Sequence, residues 1–108
     1  MRKGLQTERE VLESADLSKN TTKAVVRDPK TGEYGNTIPD SYLPDGTPVE
    51  VKDRARISDS PQLRRQNELA KRATGGQAIV VRARDNGIVS STVMDNMDVR
   101  DRFFKPLR

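Results

Sequence analysis

Two carboxylates and an amine are the residues of this chain best spaced to do chemistry together. Asp40 closes the run Ile38-Pro39-Asp40, and the later run Val49-Glu50-Val51-Lys52 alternates apolar and charged side chains. Strand periodicity puts Glu50 and Lys52 on one face and the two valines on the other. Between the runs, Pro44-Asp45-Gly46 has the composition of a three-residue hairpin loop, with glycine at the left-handed position. With the apex at Asp45, Asp40 falls opposite Glu50, their Cβ atoms about 4.5–5.5 Å apart; a bulge at Gly46 would shift this by one residue. Carboxylates held that close repel each other unless a cation lies between them. A divalent ion would meet that need, polarise a phosphodiester and acidify a bound water. Lys52 is spaced to steady the attacking water or the charge developing on the phosphate.

A third acid is expected nearby. Residues 3–17 read as an amphipathic helix on which Leu5, Val11, Leu12 and Ala15 share a face at about 100° per residue. Glu8 falls inside that apolar stripe, whereas Glu10 and Glu13 point away from it. A carboxylate there is costly unless it has a partner or a role. Short acidic–lysine patterns also arise by chance, and Glu50-Val51-Lys52 alone describes many solvated strand faces. Asp28-Pro29-Lys30 is such a decoy, because proline and the following Thr31-Gly32 make it a turn. The matched position of Asp40 and the placement of Glu8 separate the later run from that background.

The chain contains no cysteine and no histidine. Thiol nucleophiles, histidine general bases, Ser-His-Asp triads, disulfide scaffolds and Cys/His zinc sites are therefore excluded. A metal site must be built from oxygen, which favours Mg²⁺ or Mn²⁺. Twenty Lys and Arg against 16 Asp and Glu give a net charge of +4 and a pI near 9.7, a balance suited to a polyanionic ligand. Arg54, Arg56, Arg64, Arg65, Lys71, Arg72, Arg82 and Arg84 follow the motif as a potential phosphate-binding rim. Aromatic residues are nearly absent there, which argues against a base-stacking platform. No apolar run is long enough to span a membrane, and no secretory core is seen at the start.

These residues need a scaffold. Strands are expected at 21–27, 34–43, 47–53 and 77–84, and a helix from Ser60, with Pro61 in its first turn, to the stop at Gly75-Gly76. Asn86-Gly87 turns the chain into an extended piece at 88–94, and the tail, 95–108, is expected to hold one short helix with Val99, Phe103 and Phe104 inward. The order α-β-β-β-α-β implies an α/β or α+β fold, a mixed sheet flanked by helices, with 1–108 as one domain. Leu, Ile, Val and Phe total 23 of 108 residues, just above the level at which disorder is the usual outcome. So lean a core stands to gain from a bound metal or partner.

Ile38-Pro39-Asp40, Val49-Glu50-Val51-Lys52 and Gln62-Leu63-Arg64 together resemble the restriction-endonuclease-like, or PD-(D/E)xK, toxin domains at the C-termini of bacterial polymorphic toxins of the Rhs and contact-dependent inhibition types. Glu8 and the later Lys19-Asn20 are similar to that family's opening helix, and the resemblance spans roughly residues 5–82. It implies a restriction-endonuclease-like core and a metal-dependent endonuclease acting as a toxin. By position, Asp40 and Glu50 would be metal ligands, Lys52 the catalytic lysine, and Glu8 an accessory acid reaching the metal through water. Gln62 and Arg64 would contact phosphate, with Arg82 a further candidate. The resemblance also implies a DNA substrate (tRNA as the alternative), a cognate immunity protein, and secretion within a larger toxin for delivery to the target-cell cytoplasm. Asp53 departs from the asparagine often following the lysine, and the second helix lacks the family's frequent tyrosine. From another class, a non-catalytic basic domain binding nucleic acid or a partner is the alternative.

Overall fold

The computed structural model describes residues 3–108, with side chains from Gln6 onward; Leu5, expected on the apolar face of the first helix, lies outside the described side chains. Helix α1 covers Lys3–Ser14 and buries Val11 and Leu12, while Glu10 and Glu13 face solvent. It ends earlier than its apolar spacing suggests, with Asp16 in the left-handed conformation. Two short strands follow, β1 (Ala24–Arg27) and β2 (Tyr34–Thr37), paired antiparallel as a separate ribbon around the turn that opens at Asp28.

The central sheet has four strands. They are β3 (Ser41–Tyr42), β4 (Pro48–Lys52), β6 (Ile79–Arg82) and β8 (Asp98–Asp101), in that order; β3–β4 is antiparallel and β4–β6–β8 is parallel. A second two-stranded piece joins β5 (Arg56–Ile57) to β7 (Ile88–Val89) in parallel. Helix α2 (Pro61–Thr74) connects β4 to β6 by way of β5, and α3 (Ser91–Asn96) leads into β8. Alternation along β4 and β6 splits the core between the two faces of the sheet. Val49, Ile79 and Val81 pack with Val11 of α1. Val80 and Val99 pack with Leu63 and Ala70 of α2 and Val93 of α3. The result is an α+β globule built on a mixed sheet with helices.

Helix α2 begins and ends on strong local signals. The Ser60 hydroxyl accepts from the Leu63 N–H, Pro61 occupies the first turn, and Gly75 takes the left-handed cap at φ 76°. Ser60→Ala is expected to cost about 1 kcal/mol, read as a fall of about 4–8 °C in thermal midpoint.

Several expected elements are corrected by tertiary pairing. The strand foreseen over 34–43 is broken at Ile38-Pro39-Asp40. Asn20 takes the Pro39 carbonyl with its Nδ2 (2.9 Å) and the Asp40 carbonyl with its backbone N–H (2.8 Å), so β3 leaves the ribbon and joins the central sheet. The extended stretch foreseen over 88–94 persists for two residues before the Ser90 hydroxyl caps α3. The tail forms β8 instead of a helix. Val99 points inward as expected and Phe104 is half-buried, but Phe103 is 70% exposed. The single valine of Asp98–Asp101 carried no periodicity, and its strand exists because β6 offers an edge.

Candidate active site

The hairpin holds the expected register. Ser41 pairs with Val49 and Tyr42 with Pro48 around a loop in which Gly46 has φ 94°. Asp40 stands one residue before the first pair. Were the ladder to continue, the Val51 N–H would reach for the carbonyl of Pro39, which Asn20 already occupies. The Asp40 carboxylate takes its place, its Oδ2 accepting from that N–H at 2.8 Å. A broken strand thus converts Asp40 from a ladder residue into a fixed carboxylate beside β4.

Glu50 is 5% exposed, and donors bind both its oxygens. Oε1 accepts from Gln66 Nε2 at 3.0 Å and Oε2 from Gln62 Nε2 at 3.1 Å. Gln62 Oε1 in turn accepts from Lys52 Nζ at 2.8 Å, and Lys52 Nζ lies 3.6 Å from Glu50 Oε2. Gln62 therefore ties the acid and the amine of β4 into one rigid unit. Across the hairpin, Lys19 Nζ donates to Glu8 Oε2 at 2.6 Å and approaches Asp40 Oδ1 at 3.4 Å, so the helix-borne acid joins the same cluster. Burial, then the Glu50 charge, then the contact with Glu8 push the Asp40 carboxyl up to about 7, against the stabilising Val51 N–H. Burial pulls the Lys19 ammonium down, but its hydrogen bonds and charge interactions with Glu8 and Asp40 hold it above the ordinary lysine value.

Glu8, Asp40, Glu50, Lys52 and Gln62 therefore converge. Arg82 is the ladder neighbour of Lys52 on β6, half-buried, and its buried Nε has no hydrogen-bond partner among the described residues. Arg64 faces elsewhere. Its Nε and one terminal nitrogen each donate at 2.8 Å to the buried Asp28 carboxylate, and its other terminal nitrogen donates at 2.6 Å to Asp59. Those bonds from Arg64, despite burial, hold the Asp28 carboxyl well below the usual range and raise the guanidinium further. The pair fastens α2 to the turn after β1. Arg64→Ala would leave a buried carboxylate uncompensated, and a larger loss of thermal midpoint is expected than for Arg72→Ala on the exposed last turn. A depressed carboxyl contributes stability above its unfolded value, so this contribution fades as pH falls below about 4.

Two members of the cluster lie beyond the residues singled out from sequence as a site. Gln66 is fully buried, donating to Glu50 and, at 3.1 Å, to Thr37 Oγ1. A glutamine between Leu63 and Ala70 on the inner stripe of α2 carried the same signal that marked Glu8. Lys19, named with Asn20 only in the family resemblance and given no role there, had no periodic signal, because it acts from a loop. Among the described residues, no group of three or more acidic side chains gathers closely enough to hold a metal ion. No family model, curated protein or solved structure matches this chain.

Proposed function

We propose that this chain is a metal-dependent endonuclease with a restriction-endonuclease-like core, hydrolysing phosphodiesters of DNA in preference to RNA. The observation that carries the reading is the Gln62-bridged Glu50–Lys52 unit with Asp40 held across the hairpin. The donor set fits a hard divalent ion such as Mg²⁺ or Mn²⁺. It offers two buried carboxylates, of which Asp40 is pushed toward its protonated form by burial and then by the neighbouring Glu50 charge, a repulsion that a divalent cation would relieve. Asp40 and Glu50 would hold the ion, which supplies Lewis acidity and a more acidic bound water.

The remaining steps fall to the chain's own groups. Lys52, kept in position by Gln62, steadies the attacking water or the charge growing on the phosphate. Glu8 extends the acidic face from α1, in contact with Asp40, and as an accessory acid would reach the ion through water. Gln66 donates to Glu50 from the interior and limits the rotation of its carboxylate. Following the family that the motif resembles, the nuclease acts as a toxin. It is secreted within a larger protein, delivered to the target-cell cytoplasm, and restrained in the producer by a cognate immunity protein.

Plasmid DNA and total tRNA, each incubated with Mg²⁺ or Mn²⁺, test the proposal. Plasmid nicking that is lost on chelation and in Glu50→Gln is the expected result. Cleavage of tRNA alone would favour the ribonuclease form of the same reading. Cleavage undiminished in Glu50→Gln and Lys52→Ala would refute the site.

One observation favours a second reading. Lys19 and Lys52 already bring positive charge to the three carboxylates, as a non-catalytic basic domain binding nucleic acid or a partner would need. That reading predicts no rise in thermal midpoint with Mn²⁺, whereas the nuclease reading predicts a rise that Asp40→Asn abolishes.

A further inference from the structure

The eight basic residues that follow the motif are not equivalent in the folded chain. Arg64 is bound to Asp28 and Asp59. Arg65 donates to the carbonyls of Val26 and Glu33. Lys71 pairs with Glu68 and Arg84 with Asp53. Arg72 sits in the last turn of α2, and Arg82 lies within the central sheet. Arg54 and Arg56 remain. Both are exposed, and no carboxylate among the described residues pairs with either.

These two arginines line a single cleft of about 360 Å³ with Lys52 and Gln62. Asp59 also borders the cleft, but its charge is answered by Arg64 at 2.6 Å. The cleft therefore carries two uncompensated guanidinium groups, directly beyond the end of β4 that presents Lys52. No aromatic side chain lines it.

We propose that this cleft is the backbone subsite of the enzyme, in which Arg54 and Arg56 take phosphates of the nucleic-acid strand next to the phosphate presented to Lys52. The inference rests on the nuclease reading and deepens it by locating the strand. Guanidinium groups match phosphate oxygens in a bidentate fork, and free ones give up no internal ion pair on binding. Contacts of this kind position the strand without reading its bases. The subsite therefore accepts DNA and RNA backbones alike, and any preference between them is set elsewhere.

Fluorescence anisotropy of a labelled duplex and of a labelled tRNA, recorded in EDTA to prevent turnover, tests the inference as a salt series. Each neutralised phosphate contributes about 0.9 to the slope of log affinity against log salt on B-DNA and about 0.7 on a single strand. Arg54→Ala/Arg56→Ala is expected to lower the duplex slope by nearly 2 and to weaken binding at least tenfold at low salt. Arg54→Lys/Arg56→Lys should keep most of the slope, and Lys105→Ala, at an exposed position of the tail, should leave it unchanged. The exposed positions predict thermal midpoints near that of the parent chain. An unchanged slope in the alanine pair, or no binding by the parent chain, overturns the subsite. Binding with the expected slope loss but no cleavage with Mn²⁺ leaves the subsite standing and removes the nuclease reading.

Discussion

Lys52→Ala is expected to lower plasmid cleavage by roughly 10²–10³-fold while leaving the fold intact, the scale observed when one preorganised donor is removed from a developing negative charge. Lys52 is one of few ammonium groups tied into the acidic cluster, and its Nζ is fixed at 2.8 Å from Gln62 Oε1. The replacement removes that donor and leaves Gln62 to re-orient. Glu50→Gln should cost at least as much and act through two routes. It removes the charge of a proposed metal ligand, and it offers an amide nitrogen to one of the two glutamine nitrogens that donate to Glu50. If Gln62 turns its amide to relieve that clash, its oxygen no longer faces Lys52. The effects of the two substitutions therefore overlap, and the double variant should lose much less than the product of the single losses. Initial rates on supercoiled plasmid at fixed Mn²⁺, with circular dichroism to verify folding, measure this. Strictly multiplicative losses would show that Gln62 does not couple the pair.

Asp40→Asn is expected to abolish cleavage and yet to stabilise the metal-free protein at pH 8. The Asp40 carboxyl is raised to about 7 in the folded chain, against about 4 in an unfolded one. Between those values the folded state holds a proton that the unfolded chain has released, so stability falls as pH rises through that window and levels off above it. The loss is on the order of 2–4 kcal/mol. Asparagine keeps an oxygen to accept from Val51, as Asp40 Oδ2 does at 2.8 Å, and removes the charge repelled by Glu50. The variant's midpoint should therefore exceed the parent's at pH 8 by about 4–8 °C for each kcal/mol recovered. The two should converge near pH 4. Thermal melts from pH 4 to 8 in EDTA measure the difference, and parallel curves across that range would contradict the buried-acid account. Gains of stability on removing an active-site charge are a familiar trade-off.

The separation between what is readable in the chain and what is not follows the range of the interactions. Helix α2 was legible because Ser60, Pro61 and Gly75 act on their own backbone within a turn. The β3–β4 register was legible because a Pro-Asp-Gly loop couples residues only a few positions apart. From that register and strand alternation came the meeting of Asp40, Glu50 and Lys52. Helix periodicity added Glu8, and the tertiary packing carries it to Asp40 through Lys19.

Distant partners decided the rest. Asn20 broke a strand that looks continuous, freeing the Asp40 side chain to cap Val51. Asp28, in a turn 36 residues before Arg64, claimed an arginine that motif position assigned to phosphate. The β6 edge turned a tail with one apolar residue in four into a parallel strand. Local periodicity and capping report energies within a turn or two of chain. Whether an arginine is free to meet a substrate, or a carboxylate must keep its proton, depends on groups that only folding brings within a few ångströms.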